Sequence, residues 1–257
     1  MADIRVFTYN LRVDVPGDGK NSFTSRRAYI RDRFPGFQAD IVGFQETIPH
    51  MRQWLAENFP EYEVCGLGRE SDLQGESNPI LFRRAAFDLA ELDCFWLSDT
   101  PSLPGSRFAT DQSGCPRICT CATVRHRDTG RLLRFYNTHL DHEGPTAQAQ
   151  GLTLILSRMA ADYAKRPLPV VLTGDFNAFP DSLVYQSANG FSGCGGILAD
   201  ATQALGGTYH NFGRLDEPQK IDYIFTTLPY KDAFLVKDSQ DGIYLSDHYP
   251  AGAVVAL

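Results

Sequence analysis

Apolar positions along the chain fall into short runs and alternations separated by glycine- and proline-marked breaks, so the pattern predicts many strands and few helices. Residues 4–9 alternate, with Ile4, Val6 and Thr8 against Arg5, Phe7 and Tyr9, and read as a first strand. Pro16-Gly17-Asp18-Gly19 marks a loop, and Thr24-Ser25 predicts the cap of a helix running to about residue 34, where Pro35-Gly36 stops it. Residues 40–46 form a run apolar on both faces, the pattern of a buried strand. Residues 49–59 set Met51, Trp54, Leu55 and Phe59 on one helical stripe. Residues 62–68, 79–83, 87–97, 118–127 and 131–140 read as further strands, and 148–163 as the strongest helix, with Leu152, Ile155, Leu156, Met159 and Tyr163 at helical spacing. The run 169–172 is a buried strand, 221–225 a short one, and a final apolar strand closes the chain.

Composition narrows the picture. A chain of 257 residues without repeat, low-complexity tract or linker suits one domain, 1–257, with a substantial core. Many strands with few helices between them predict stacked sheets rather than strict βαβ alternation. No apolar run approaches the ~18 residues a membrane helix needs. Residues 1–7 lead straight into a strand, so the expectation is a cytoplasmic protein without membrane insertion or an obligate protein partner. The six cysteines are expected to be reduced and mostly buried, with a zinc site the lesser reading. The formal charge, 24 − 31 = −7, disfavours a broad duplex-binding surface but leaves room for a small phosphorylated substrate.

Candidate chemistry sits at predicted strand ends: Asn10, Glu46, His139, Asp175 with Asn177, Asp222, and Asp247 with His248. Strand parity would point Asp175 and Asn177 to one side if the strand geometry persists that far. Singly, each has a plainer reading. Gly174-Asp175 is ordinary turn chemistry, Glu46 could cap a helix, and Asp247-His248 precedes Tyr249-Pro250 as a turn would. Recurrence of the pattern at six strand ends favours a site. Oxygen-rich ligands without cysteine favour a hard cation, Mg²⁺ or Mn²⁺.

The motifs Thr8-Tyr9-Asn10, Gly43-Phe44-Gln45-Glu46, Asn137-Thr138-His139-Leu140, Gly174-Asp175-Phe176-Asn177, Ile221-Asp222-Tyr223-Ile224 and Ser246-Asp247-His248-Tyr249-Pro250 occur in this order across almost the whole chain. Together they resemble the endonuclease/exonuclease/phosphatase superfamily, in particular a compact microbial branch of metal-dependent hydrolases. The resemblance implies a four-layer α/β sandwich, two packed mixed sheets flanked by helices. It implies a phosphoesterase that cleaves a P–O bond by in-line attack of an activated water. Glu46, Asn10 and Asp247 would hold Mg²⁺ or Mn²⁺. Asp175 would orient or deprotonate the water, with Asn177 holding that water or a phosphate oxygen. His248, oriented by Asp222, would bind the phosphoryl group, and His139 would be a second phosphate ligand or general acid.

Arg12 stands where one branch of the family has an acidic residue, which puts a second metal in doubt and suggests a phosphate contact instead. Arg117 is a candidate phosphate anchor and His210 a candidate substrate contact; Glu76 could pair with His139, and His142 is expected at the surface. The expected substrate is a nucleotide, a single-stranded nucleic acid or a small phosphorylated metabolite. The competing reading is a catalytically silent binding scaffold of the same fold.

Overall fold

A computed structural model describes residues 2–257. In chain order the strands are β1 (Asp3–Asn10), β2 (Ile41–Gln45), β3 (Tyr62–Cys65), β4 (Ile80–Arg83), β5 (Phe87–Trp96), β6 (Ile118–His126), β7 (Leu132–His139), β8 (Val170–Asp175), β9 (Ala199–Asp200), β10 (Asp222–Thr226), β11 (Tyr230–Leu235), β12 (Ser239–Gln240), β13 (Ile243–Tyr244) and β14 (Ala251–Ala256). The helices are α1 (Phe23–Arg33), α2 (Pro49–Asn58), α3 (Pro145–Lys165) and α4 (Leu183–Ala188).

Two six-stranded sheets form, ordered β11-β14-β1-β2-β4-β3 and β5-β6-β7-β8-β10-β9. Both are mixed. β1 runs parallel to β2 and antiparallel to β14, and β7 runs parallel to β8, which is antiparallel to β10. Between the sheets lies a core of small and branched residues, among them Val6, Ile41, Ile80, Val124, Phe135, Val171 and Val255. The outer face of the first sheet packs under α1 and α2 through Phe7, Tyr9, Phe34, Phe44, Met51 and Leu55. The outer face of the second packs under α3 and α4 through Tyr136, Leu152, Ile155, Met159, Phe176 and Tyr185. The order of layers is thus helix, sheet, sheet, helix, as expected from the resemblance.

Three sequence expectations change. The alternation in β1 separates two cores rather than core from solvent, since Ile4 and Val6 enter the middle layer while Phe7 and Tyr9 face the helices. Helix α1 is capped by Ser22, whose Oγ accepts from Ser25 N, not by Thr24-Ser25. The short elements α4, β9, β11, β12 and β13 carry too few periodic positions to stand out in the sequence. All six cysteines are free, and among the described residues neither grouping able to hold a metal includes one. Also among the described residues, no helix is long and apolar enough to cross a membrane.

The topology gathers chemistry at one end of the sandwich. β1, β2, β7 and β8 all end there, and the antiparallel β10 and β14 begin there. Asp222 lies directly opposite Asp175 in the β8–β10 ladder.

Candidate active site

At that end opens a pocket of about 600 Å³, lined by residues of both sheets, including Glu46, Asp247 and His248 from one and His139, Asp175 and Asn177 from the other. Backbone strain helps to aim its side chains. Arg12, Glu46 and Asn177 all hold left-handed φ angles, 56°, 60° and 47°, a region non-glycine residues seldom occupy away from functional turns. The strand ends at Asp175, so parity does not carry Asn177 onto the Asp175 side. The left-handed turn does that instead. Asn177 N donates to Asp175 Oδ1 at 2.9 Å, and its Nδ2 donates to Leu140 O at 3.2 Å and to His139 Nε2 at 3.0 Å. With the amide so fixed, His139 Nε2 is an acceptor and the ring is neutral. Burial, then the positive charges of Arg117 and Arg69, hold His139 well below its usual pKa, in agreement.

Asp175 is the hub. Its Oδ2 accepts from Asn10 Nδ2 at 2.9 Å and lies 3.6 Å from His139 Nε2 and 3.8 Å from His248 Nε2. Burial and then the facing Asp222 push its carboxyl up to about 7, against the pull of His248, Asn10 and the Asn177 amide. His248 Nδ1 donates to Asp222 Oδ2 at 2.8 Å. Burial alone would lower this imidazole, but Asp222, then Asp175 and Asp247, raise it to about 10, so His248 is a cation with its Nε2–H turned toward Asp175. Asp222 Oδ1 is buried without a partner.

Glu46 is not a helix cap. Its Oε1 accepts from Asn10 Nδ2 and its Oε2 from Val13 N, both at 2.9 Å, and the N-cap of α2 is Ile48. These bonds, with Arg12, lower its pKa although burial works the other way. Asp247 is raised, first by burial and also by the Glu46 charge, with His248 and Arg12 opposing. Carboxylates gathered in this way repel one another unless a cation joins them. The ligand atoms of Glu46, His139 and Asp175 lie within 4.8 Å of one another. This donor set, oxygen-rich with one neutral imidazole, fits a divalent cation of the hard class.

Two expected ligands sit differently. Asn10 donates from Nδ2 to Glu46 and Asp175 and accepts from Arg12 N at its Oδ1, so it bridges the carboxylates. Asp247 Oδ2 lies 3.7 Å from Arg12 Nε, and Arg12 Nη1 lies 4.0 Å from Glu46 Oε2. Arg12 therefore already places one positive charge between two of the acids, and Asp18 holds it there at 3.0 Å.

The other expectations divide. Arg117 is 5% exposed and lines the pocket. His142 also lines it despite its exposure, with Nδ1 2.7 Å from Arg117 Nη2. Glu76 pairs with Arg69 rather than His139, at 2.9 and 3.0 Å. His210 does not reach the pocket. It is buried, accepts from Gly213 N and stacks on Tyr249 at 3.8 Å, while its neighbour Tyr209 takes the pocket position. Arg69, Gln219 and Phe179 line the pocket without having been singled out in the sequence.

The comparisons with known proteins agree with this geometry. A family model, the Endonuclease/Exonuclease/phosphatase family, matches residues 7–248. A structure of an endonuclease/exonuclease/phosphatase from Bacteroides vulgatus is 31% identical, with TM-score 0.91 and 100% of each chain covered. The mannosyl-6-phosphatase of Bacteroides thetaiotaomicron is 29% identical, with TM-score 0.89 over 98% of this chain and 100% of that one. The human nocturnin catalytic domain, 18% identical with TM-score 0.76 over 99% and 93%, shares the fold. No curated protein sequence matches. With the family pattern matched from β1 to His248 and its polar positions gathered at one end of the sandwich, the chain belongs to the endonuclease/exonuclease/phosphatase family.

Proposed function

We propose that the protein is a divalent-cation-dependent phosphoesterase that hydrolyses a P–O ester bond by in-line attack of water. The observation that carries this reading is the convergence of Glu46, His139 and Asp175 within 4.8 Å, beside a His248 imidazolium held by Asp222. Glu46 and Asp175, with His139 and Asp247 at the margin, would hold Mg²⁺ or Mn²⁺. Such a cation, when bound, supplies Lewis-acid polarisation of a phosphoryl oxygen. Asp175 accepts the proton of the attacking water, in a position steadied by Asn10 and the Asn177 amide. His248 Nε2–H faces this space and donates to a phosphoryl oxygen as charge builds on it, while Asn177 Nδ2, spent on Leu140 O and His139 Nε2, fixes the neighbouring histidine. Asp222 keeps His248 charged and aimed.

A small or single-stranded substrate suits the site better than a duplex, because the chain is acidic and the polar cluster lies in one compact pocket. The two expected classes, a nucleotide or nucleic-acid phosphodiester and a small phosphoester, are both tested by one panel. Phosphomonoesters, phosphodiesters, single-stranded RNA and DNA, and duplex DNA are incubated with Mn²⁺, with and without chelator. Chelator-sensitive hydrolysis lost in folded Asp175→Ala and His248→Ala proteins is the expected result. Equal turnover by parent and variants would leave this mechanism without support, as would a panel with no turnover at all, the outcome the silent-scaffold reading requires.

A further inference from the structure

Beyond the hydrolytic cluster, one wall of the pocket is built of arginine. We propose that Arg117 and Arg69 form a fixed guanidinium seat for the non-bridging oxygens of a terminal phosphate, which makes the protein a phosphomonoesterase of small phosphorylated molecules. This rests on the phosphoesterase reading above and narrows its substrate class.

Arg117 is buried and Arg69 half-buried, both are held from behind, and Arg117 Nη1 is left without a hydrogen bond. The Arg117 side chain is 6% exposed and that of Arg69 11%. Arg117 sits just before β6, where its carbonyl accepts from Leu97 N at 2.7 Å. Its Nη2 donates to His142 Nδ1, which fixes that ring as an acceptor there and leaves its proton on Nε2. Its Nε stands 3.5 Å from Asp141 and has no hydrogen-bond partner. Asp141 is already occupied by Ser113 N, Ser113 Oγ, Glu143 N and Gly144 N, so it anchors Arg117 by charge more than by hydrogen bonding.

Arg69 is fixed at both ends. Its carbonyl accepts from Trp96 Nε1 at 2.6 Å, its amide donates to Glu76 O at 2.8 Å, and both terminal nitrogens engage Glu76. Its Nε too is buried without a hydrogen-bond partner, 3.6 Å from Glu70 Oε1. The two Nε atoms are turned away from solvent toward Asp141 and Glu70, whereas Arg117 Nη1 makes no hydrogen bond and both guanidinium groups line the pocket, where an anion would find them. Both arginines line the same pocket as His139, Asp175 and His248, which sets the seat beside the reacting centre.

Charge selects between ester types. A phosphodiester presents one negative charge over two non-bridging oxygens, whereas a terminal phosphate presents a dianion over three. With His248 donating to the phosphoryl group, the guanidinium groups of Arg117 and Arg69 would match the further oxygen and charge of a monoester. In the reaction, water adds to phosphorus and the ester P–O bond breaks with its electron pair passing to the alcohol oxygen. The proton given up by water is balanced by the one the alcohol takes up, and inorganic phosphate and the alcohol leave.

The test uses the full chain with Mn²⁺. Parent, Arg117→Gln and Arg69→Gln proteins are compared on p-nitrophenyl phosphate, bis(p-nitrophenyl) phosphate, a hexose 6-phosphate and a nucleoside 5′-monophosphate. Independently of turnover, calorimetry measures binding of inorganic phosphate and of dimethyl phosphate to each protein. The parent should prefer monoesters and should bind phosphate over dimethyl phosphate. Arg117→Gln should lower monoester kcat/KM and phosphate affinity by about 10- to 100-fold while changing diester turnover several-fold at most. The proposal is overturned if diesters are preferred, if the variants cut both ester types equally, or if phosphate binding is unmoved. Should the variants not fold, the parent's choice between phosphate and dimethyl phosphate decides alone. If no ester is turned over, the phosphoesterase reading fails, and phosphate binding still judges the seat.

Discussion

Two polar clusters bridge the sheets one to two residues apart along the strands, and they differ in the charge they carry. The inner one is neutral. Gln45 Nε2 donates to Asn137 Oδ1 at 2.7 Å and to Thr8 Oγ1 at 3.3 Å, Thr173 Oγ1 donates to Asn137 Oδ1 at 3.0 Å, and Asn137 Nδ2 donates to Phe44 O at 2.6 Å and Pro79 O at 3.2 Å. The outer one, around Asp175, is charged, holds mutually repelling carboxylates and leaves Asp222 Oδ1 unpaired. Both are buried, so burial of polar groups does not mark function. Each also keeps one unpaired oxygen, Gln45 Oε1 and Asp222 Oδ1, so what separates them is charge: the inner cluster is neutral and bonds to itself, and the outer one keeps charge for a ligand.

The sharpest way to break this comparison is to neutralise one member of each cluster. Asp175→Asn should lower hydrolysis by about 10²–10⁴-fold. It should leave thermal stability unchanged or raised, since it relieves the repulsion between Asp175 and Asp222. Asn137→Leu should do the reverse. It keeps the branched shape, adds some bulk and strands the Phe44 and Pro79 carbonyls and the Gln45 and Thr173 donors, at a cost of about 2–4 kcal/mol in urea unfolding, with activity per folded molecule largely kept. If Asp175→Asn destabilised and Asn137→Leu did not, the assignment of the two clusters would be inverted.

Gly43 gives a milder probe of the inner cluster. A Cβ there would overlap the Thr173 hydroxyl and the Asn137 amide across the sheet interface. Gly43→Ala should therefore cost about 1–3 kcal/mol by overpacking and leave the pH dependence of catalysis alone. Unfolding curves and pH–rate profiles of the same preparations check both halves. A stability equal to the parent's would mean that the sheets part easily at this layer.

The comparison also explains what could be read from the sequence. Strand ends bearing Asp, Asn, His and Glu stand out locally, and the set Glu46, His139, Asp175, Asn177, Asp222 and His248 is legible because each follows or begins an apolar run. Gln45 and Asn137 lie in the same motifs, yet their job depends on one sheet facing the other, which no single run encodes. Arg69 sits in an irregular segment shaped by its pairing with Glu76, so no periodicity points to it. Tyr209 and His210 are adjacent in an extended segment, and alternate residues face opposite ways, so choosing between them requires the bridge from Tyr209 to His248. The layers were legible through the resemblance. The alternation in β1 sorts residues between two interiors, because a central strand of a sandwich is buried on both faces.

Asp141 supplies the smallest and most discriminating test, because it is as buried as Asp175, 2% exposed, but is hydrogen-bonded by its own loop instead of facing another carboxylate. Burial by itself would raise its pKa, yet the hydrogen bonds from Ser113, Gly144 and Glu143 bring it down to about 2. A folded pKa below the unfolded value of roughly 3.9 means stability that is present above that value and lost as pH falls through the folded one. Asp141→Asn should therefore show a Tm deficit of roughly 2–4 °C at pH 6 that shrinks between about pH 4 and pH 2. Asp175→Asn should show no such deficit, since its parent carboxyl is raised rather than lowered. Calorimetric scans of the three proteins across that range read the sign directly. A deficit for Asp141→Asn that stays constant down to pH 2 would place its role in packing rather than charge, and would remove satisfaction as the property that divides the two aspartates.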